Sequence, residues 1–298
     1  MNGISNCAMY LSAQPFWLAE KQQQTLIYLE QTCTPVAFAY EITLQAGAAG
    51  LQSVPGTGLI SLTIPLNSEH PIVQCAGPLN QSKLVPIPAG GERSFNCHFF
   101  PGKFTRILGI PSHLMADKEV VLEECINPGP LAEMIAKAPD FRTRVSIMQK
   151  AVSLWAARTR ERKAAQISDN FISLAMEHSG DIRISELEQQ LGYSSRYLQQ
   201  IVLEQVGLTP KIALENIRFQ CALHMMLAHP AYPLSRIAQQ SGFYDQAHFT
   251  KVFKKMMSHT PAEFINQYAS EFCRDKQLLS HFESDIQKCH DGLLLPHT

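Results

Sequence analysis

Several common signals are missing from this sequence. No apolar run in its 298 residues approaches the length of a bilayer span. The opening MNGISNCAMYLSAQPFWLAEK has neither a basic start nor a clean apolar stretch. No secretory leader is read there, and the expected location is the cytoplasm. Charged residues are scarce at 17%, while hydrophobic residues reach 45%. That balance excludes global disorder and supplies cores for about two domains. No two of the eight cysteines, at positions 7, 33, 75, 97, 125, 221, 273 and 289, form a C-x-x-C pair. They are read as small buried hydrophobes. Cys97-His98 and Cys289-His290 are adjacent pairs, and neighbours in a strand point to opposite faces, so no metal site is assigned. G-x-S-x-G, P-loop, H-E-x-x-H and paired-glycine nucleotide motifs are absent. The chain is therefore read as a non-enzyme, with no catalytic residue and no cofactor.

What is present is uneven. The formal net charge is -1, but residues 1–140 carry 7 basic against 11 acidic side chains, and residues 141–163 carry 7 against one. A basic segment thus follows an acidic one. Residues 164–270 are near balance, with 8 basic and 9 acidic.

The N-terminal part alternates with period two. Val36, Phe38, Tyr40, Ile42 and Leu44 form one apolar series; Ile60, Leu62, Ile64 and Leu66 form a second; Phe95, Cys97 and Phe99 form a third. Such runs between Gly-, Pro- and Asn-rich turns predict a β-rich domain, a sandwich or barrel, over residues 1–138. A helix is predicted from Pro139–Asp140 to about Lys163, with Val145, Met148, Val152 and Trp155 as an apolar seam. That seam serves either its own chain or a dimer. Beyond Gln166 the pattern is helical. Pro210, Pro233 and Pro261 stand where helices begin.

Two helical stretches repeat each other. ISELEQQLGYSSRYLQQIVLEQVGLTP is matched by LSRIAQQSGFYDQAHFTKVFKKMMSHTP. Leu187 pairs with Ile237 and Gly192 with Gly242 at an offset of 50; Leu198 pairs with Phe249 and Pro210 with Pro261 at an offset of 51. The second turn therefore holds one extra residue. Each copy has the order of a helix-turn-helix: a short helix, a glycine, a capping residue (Ser194 or Ser195; Asp245) and a second helix anchored on one apolar face. The other face exposes Arg196, Gln199 and Gln200 in the first copy, and Gln246, His248, Thr250 and Lys251 in the second. Arg pairs bidentately with guanine, Gln with adenine, and Thr meets a thymine methyl. Lys254 and Lys255 are assigned to phosphates.

The second copy, IAQQSGFYDQAHFTKVFKKMMSHTPAEF, resembles the signature of the AraC/XylS family of bacterial transcription regulators. The resemblance covers about Gln166 to Tyr268. It implies a multi-domain α and β chain with a seven-helix, all-α DNA-binding domain at 165–270. Two helix-turn-helix units are joined there by a long helix, Lys211 to Leu227. The N-terminal stretches GLISLTIPLN and CHFFPGKFTRILGIP resemble, more weakly, the cupin-like or half-barrel domain of such regulators. Implied with these are double-stranded DNA and RNA polymerase as partners, an activator's role, and control by a small-molecule effector or a regulatory protein. Monomer and homodimer both stay open, and no membrane is involved. Repair-enzyme members carry a reactive cysteine in a P-C-H-R setting, which is absent here. Three positions depart from the family pattern: Glu188 replaces a small alanine, Val202 a phenylalanine, and Ser258 a glycine. Residues 139–164 are read as the connecting helix and 271–298 as a tail without assigned function.

Overall fold

The computed structural model describes residues 25–31, 36–44, 50–87, 92–159, 162–229 and 231–266. Cys7, Cys33, Cys273, Cys289, His290 and the tail lie outside them.

The N-terminal region is an antiparallel sheet. It comprises β1 (Thr25–Gln31), β2 (Val36–Leu44), β4 (Ile60–Pro65), β5 (Gln74–Ala76), β7 (Glu92–Phe99) and β8 (Glu119–Val121), in the order β1-β2-β7-β4-β5-β8. A separate ribbon pairs β3 (Gly50–Val54) with β6 (Lys83–Ile87). Cross-strand partners share a face. One face carries Leu62, Ile64, Phe95, Cys97 and Phe99 in a buried apolar layer. The opposite face pairs Phe38 with His98 and Tyr40 with Asn96. A register shift between Val36 and Phe38 corrects the predicted series. Val36 joins the first layer, while Phe38, Tyr40 and Ile42 join a different core.

That second face holds a buried polar row. Thr63 Oγ1 donates to Asn96 Oδ1 at 2.9 Å, and Asn96 Nδ2 donates to Ser94 Oγ at 3.1 Å. Tyr40 Oη lies 3.2 Å from His98 Nε2, and the Phe38 ring stacks on the imidazole at 4.6 Å. His98 Nδ1 is buried with no hydrogen-bond partner. Burial pushes the imidazole pKa down to about 3. An unfolded histidine titrates near 6.5, so the unfolded chain binds the extra proton first. Stability from neutral His98 is complete above about pH 6.5 and falls as pH drops toward 3. Melting temperature followed from pH 7 to 5 should decline, and His98→Phe should flatten that decline.

Helices cover the apolar face. They are α1 (Lys103–Leu108), α2 (Leu131–Lys137) and α3 (Phe141–Arg158). Asp140 caps α3 by accepting the Thr143 N–H at 2.8 Å. The seam of Val145, Met148, Val152 and Trp155 is buried in the same cluster as Phe95 and Phe99. It packs on its own sheet, and its four side chains present no surface to a dimer partner. Arg144, one turn from the cap, is 4% exposed and reaches Glu41 of β2, which is fully buried, at 2.7 Å.

Seven helices follow among the described residues: α4 (Lys163–Glu177), α5 (Ile184–Leu191), α6 (Ser195–Val206), α7 (Pro210–Ala228), α8 (Leu234–Gln240), α9 (Gln246–Met257) and α10 (Pro261–Phe264). The long α7 divides its surface between two cores. Ala213, Leu214, Ile217 and Cys221 pack with α4, α5 and α6. Phe219, Ala222, Leu223 and Met226 pack with α8, α9 and α10. The first of these cores is continuous with Phe38, Tyr40, Ile42 and Leu59 of the β region. The sheet and the first helical unit therefore share buried surface. Pro210 and Pro261 occupy the first helical turn, as predicted, whereas Pro233 sits one position earlier, at the N-cap of α8. No helix among the described residues is long and apolar enough to cross a membrane.

Candidate nucleic-acid interface

The repeated segments fold as two copies of one motif. In the first, α5 ends at Gly192 (φ 73°) and Ser194 caps α6 by accepting the Tyr197 N–H. In the second, α8 is followed by Gly242 (φ 74°), and Asp245 caps α9 by accepting the His248 N–H at 2.7 Å. Both glycines hold left-handed backbone, which side-chain-bearing residues adopt at a cost. Each second helix then anchors one face: Leu198, Ile201 and Val202 on α6, and Phe249, Val252 and Phe253 on α9. Threonine repeats the device at the next helix, with Thr209 capping α7 and Thr260 capping α10.

The opposite faces are open. Arg196, Gln199 and Gln200 are exposed on α6, as are Gln246, Lys251 and Lys254 on α9. His248 is half-buried, with its ring edge-on to Phe243 at 5.4 Å. Thr250 is half-buried and bonds back to the Gln246 carbonyl at 2.8 Å. Lys255 does not join this group. Its ammonium sits 2.7 Å from Glu215 of α7, so it ties α9 to the joining helix.

Two departures from the family pattern acquire physical roles. The Glu188 carboxylate accepts the Ser195 N–H, so the side chain that replaces a small alanine supplies a second cap for α6. Ser258, at the C-terminus of α9, adopts φ 62°, a left-handed conformation that glycine would hold without strain. Its hydroxyl lies 2.7 Å from that of Ser82, which comes from the β region.

Ser82 belongs to a larger docking surface. The Lys255 carbonyl accepts from Ser82 N at 2.9 Å, and the Met256 carbonyl accepts from Gly56 N at 2.9 Å. Helix C-termini leave four carbonyls unsatisfied. Here loops just beyond the tip of the β3–β6 ribbon complete two of those on α9. Asn216 of α7 donates to the Gly56 carbonyl at 3.0 Å. On the other unit, Ser112 Oγ donates to the Gln205 carbonyl of α6 at 2.8 Å. Lys103 and Arg106 of α1 reach Asp169 of α4 at 2.7 and 2.6 Å. The β region thus holds both second helices from behind, and their polar faces stay uncovered.

Sequence reasoning missed two exposed aromatics on this side of the molecule. Tyr197 on α6 is 39% exposed, and Tyr244, in the turn before α9, is 92% exposed. The change of offset between the repeats was the available signal for Tyr244.

Parts of this chain are similar to known proteins. A helix-turn-helix domain family model matches residues 187–267. The HTH-type transcriptional activator RhaS of Yersinia pestis (strain Pestoides F) is 26% identical over 182 residues, 57% of this chain and 63% of its own length. The same-named activator of Escherichia coli (strain SE11) is 26% identical over 103 residues, 35% of this chain and 37% of its own. The matches therefore span less than two thirds of these relatives. Among solved structures, ToxT from Vibrio cholerae O395 aligns over 76% of this chain and 96% of its own, at 13% identity and a TM-score of 0.41. The family model lies across both capped units and the helix that joins them, and residues 187–267 are a helix-turn-helix domain.

Proposed function

We propose that the chain is a sequence-specific transcription activator, with no enzymatic activity, that works in the cytoplasm with RNA polymerase. Helices α6 and α9 enter successive major grooves on one side of DNA. One observation carries this reading: the same capped helix occurs twice, each time with its apolar face buried and polar side chains exposed on the other, with His248 and Thr250 half-buried. Arg196, Gln199, Gln200, Gln246, His248, Thr250 and Lys251 meet bases, and Lys254 meets a phosphate.

The test is duplex selection from a randomised pool by the whole chain, followed by titration across a salt series. Arg196→Ala and Lys251→Ala each cost roughly 1–3 kcal/mol on the selected duplex and relax preference at one position. Lys254→Ala weakens all sequences alike and lowers the salt slope by about one. Lys255→Ala leaves that slope unchanged, because Glu215 already holds the ammonium. Selection of no sequence, even at low salt, sinks the proposal.

Control is assigned to the β region, through a small-molecule effector. The buried polar row of Thr63, Ser94, Asn96, Tyr40 and His98 supports a ligand-facing surface there, since packing alone requires no such groups. The docking of Gly56, Ser82 and Ser112 on α9 and α6 supplies a route to the recognition helices. A metabolite that binds the folded state raises the melting temperature of the chain. A captured regulatory protein, with no metabolite shifting the melt, replaces the effector in this scheme.

A further inference from the structure

We propose that Tyr244 is a DNA contact, its ring lying on a deoxyribose and its hydroxyl donating to a phosphate beside the bases read by α9. The inference rests on the DNA-binding reading above and adds a residue to it. In the first unit one residue, Tyr193, separates Gly192 from the Ser194 cap; in the second, Phe243 and Tyr244 separate Gly242 from the Asp245 cap. Phe243 is buried and packs on Phe249 at 5.2 Å, so it takes the anchoring role and Tyr244 is the inserted residue.

The fold gains nothing from a tyrosine there. The phenylalanines of this unit, Phe243, Phe249, Phe253 and Phe264, are all buried and Tyr232 is half-buried on the same core, while Tyr244 is 92% exposed. Glycine, asparagine and serine supply an extra turn residue without leaving an aromatic ring in water. The position immediately precedes the N-cap of α9, at the end of the helix from which such motifs read bases. Asp245 beside it is occupied in capping. A side chain placed before the helix starts lies at the rim of the groove. Sugars and phosphates are found there, and tyrosine hydroxyls contact phosphates in such interfaces.

The experiment uses the whole chain and the duplex that the wild type selects from a randomised pool. Tyr244→Ala should lower affinity about tenfold, from lost ring burial, with the melting temperature of the free protein unchanged. Tyr244→Phe should lower it about threefold, from one lost hydrogen bond. Duplexes carrying single neutral methylphosphonates locate the hydroxyl: one substitution weakens the wild type and leaves Tyr244→Phe unaffected. Wild-type affinity in Tyr244→Ala, while Lys251→Ala still weakens binding, overturns this contact and spares the DNA-binding reading. Loss of transcription with unchanged DNA affinity also overturns it, in favour of a protein contact. If the wild type selects no duplex, both proposals fall together.

Discussion

Replacing Arg144 with alanine should destabilise the chain by about 3–5 kcal/mol, the scale of a buried ion pair that loses one partner. Glu41 is fully buried on β2, and Arg144 reaches its Oε1 at 2.7 Å. The same guanidinium donates to the Ile135 carbonyl at 3.2 Å and the Ala138 carbonyl at 2.6 Å. Removing it takes one of two cationic partners from the Glu41 carboxylate and the side-chain donor from the Ala138 carbonyl, while the Ile135 carbonyl keeps the Ala138 N–H at 3.2 Å. Arg93 still holds Glu41 Oε2 at 2.9 Å, but its side chain is much more exposed and neutralises the buried charge less well. Adding Glu41→Gln should recover part of the loss and not all of it, because the Ala138 carbonyl still lacks its guanidinium donor. Urea unfolding of the single and double variants measures both numbers. A loss under 1 kcal/mol for Arg144→Ala would mean that water reaches the site. The consequence extends beyond stability, since Arg144 fixes α3 to the sheet and α3 leads into the helical domain.

Much of this architecture is written locally. Period-two alternation marked β4 and β7, because one face of each strand is buried under helices and the pattern survives intact. The repeat marked both helix-turn-helix units, because glycine, cap and anchor are short-range requirements that leave fixed residues at fixed spacings. The failures are long-range. Nothing around Val36 signals that the register shifts before Phe38, since the shift is set by pairing with β7, some sixty residues later. Lys255 looked like its neighbour Lys254; only the tertiary placement of Glu215 on α7 separates them. The seam on α3 has the spacing of a coiled coil, and that spacing does not say whether a sheet or a second helix covers it. Glu188 stands where the other copy has the small Ala238. Its carboxylate folds over the start of α6, a contact seven residues away that spacing alone leaves open.

The shared surface between sheet and helices gives the second large expectation, a contrast between two glycines. Gly192 and Gly207 both close a helix in left-handed backbone, with φ 73° and 83°. Alanine at either position incurs the same conformational strain, about 1 kcal/mol. Their surroundings differ. A Cβ on Gly192 meets nothing within 4 Å, whereas one on Gly207 stands 2.6 Å from Pro78 Cγ and 3.0 Å from the Ser112 carbonyl oxygen. A proline ring and a backbone oxygen yield little, so Gly207→Ala must push the β region off the end of α6. Overpacking of this kind adds about 1–3 kcal/mol. Gly207→Ala should therefore cost that much more than Gly192→Ala in urea unfolding, and limited proteolysis should cut it faster between the domains. Equal costs would show that the interface gives way freely and transmits little. The same variant tests the proposed route of control. The Ser112–Gln205 bond lies beside Gly207, so opening this contact frees α6 while its exposed face keeps every side chain proposed to read bases. An effector that still melts the β region at a higher temperature, yet no longer changes DNA affinity in Gly207→Ala, would place the coupling at this surface.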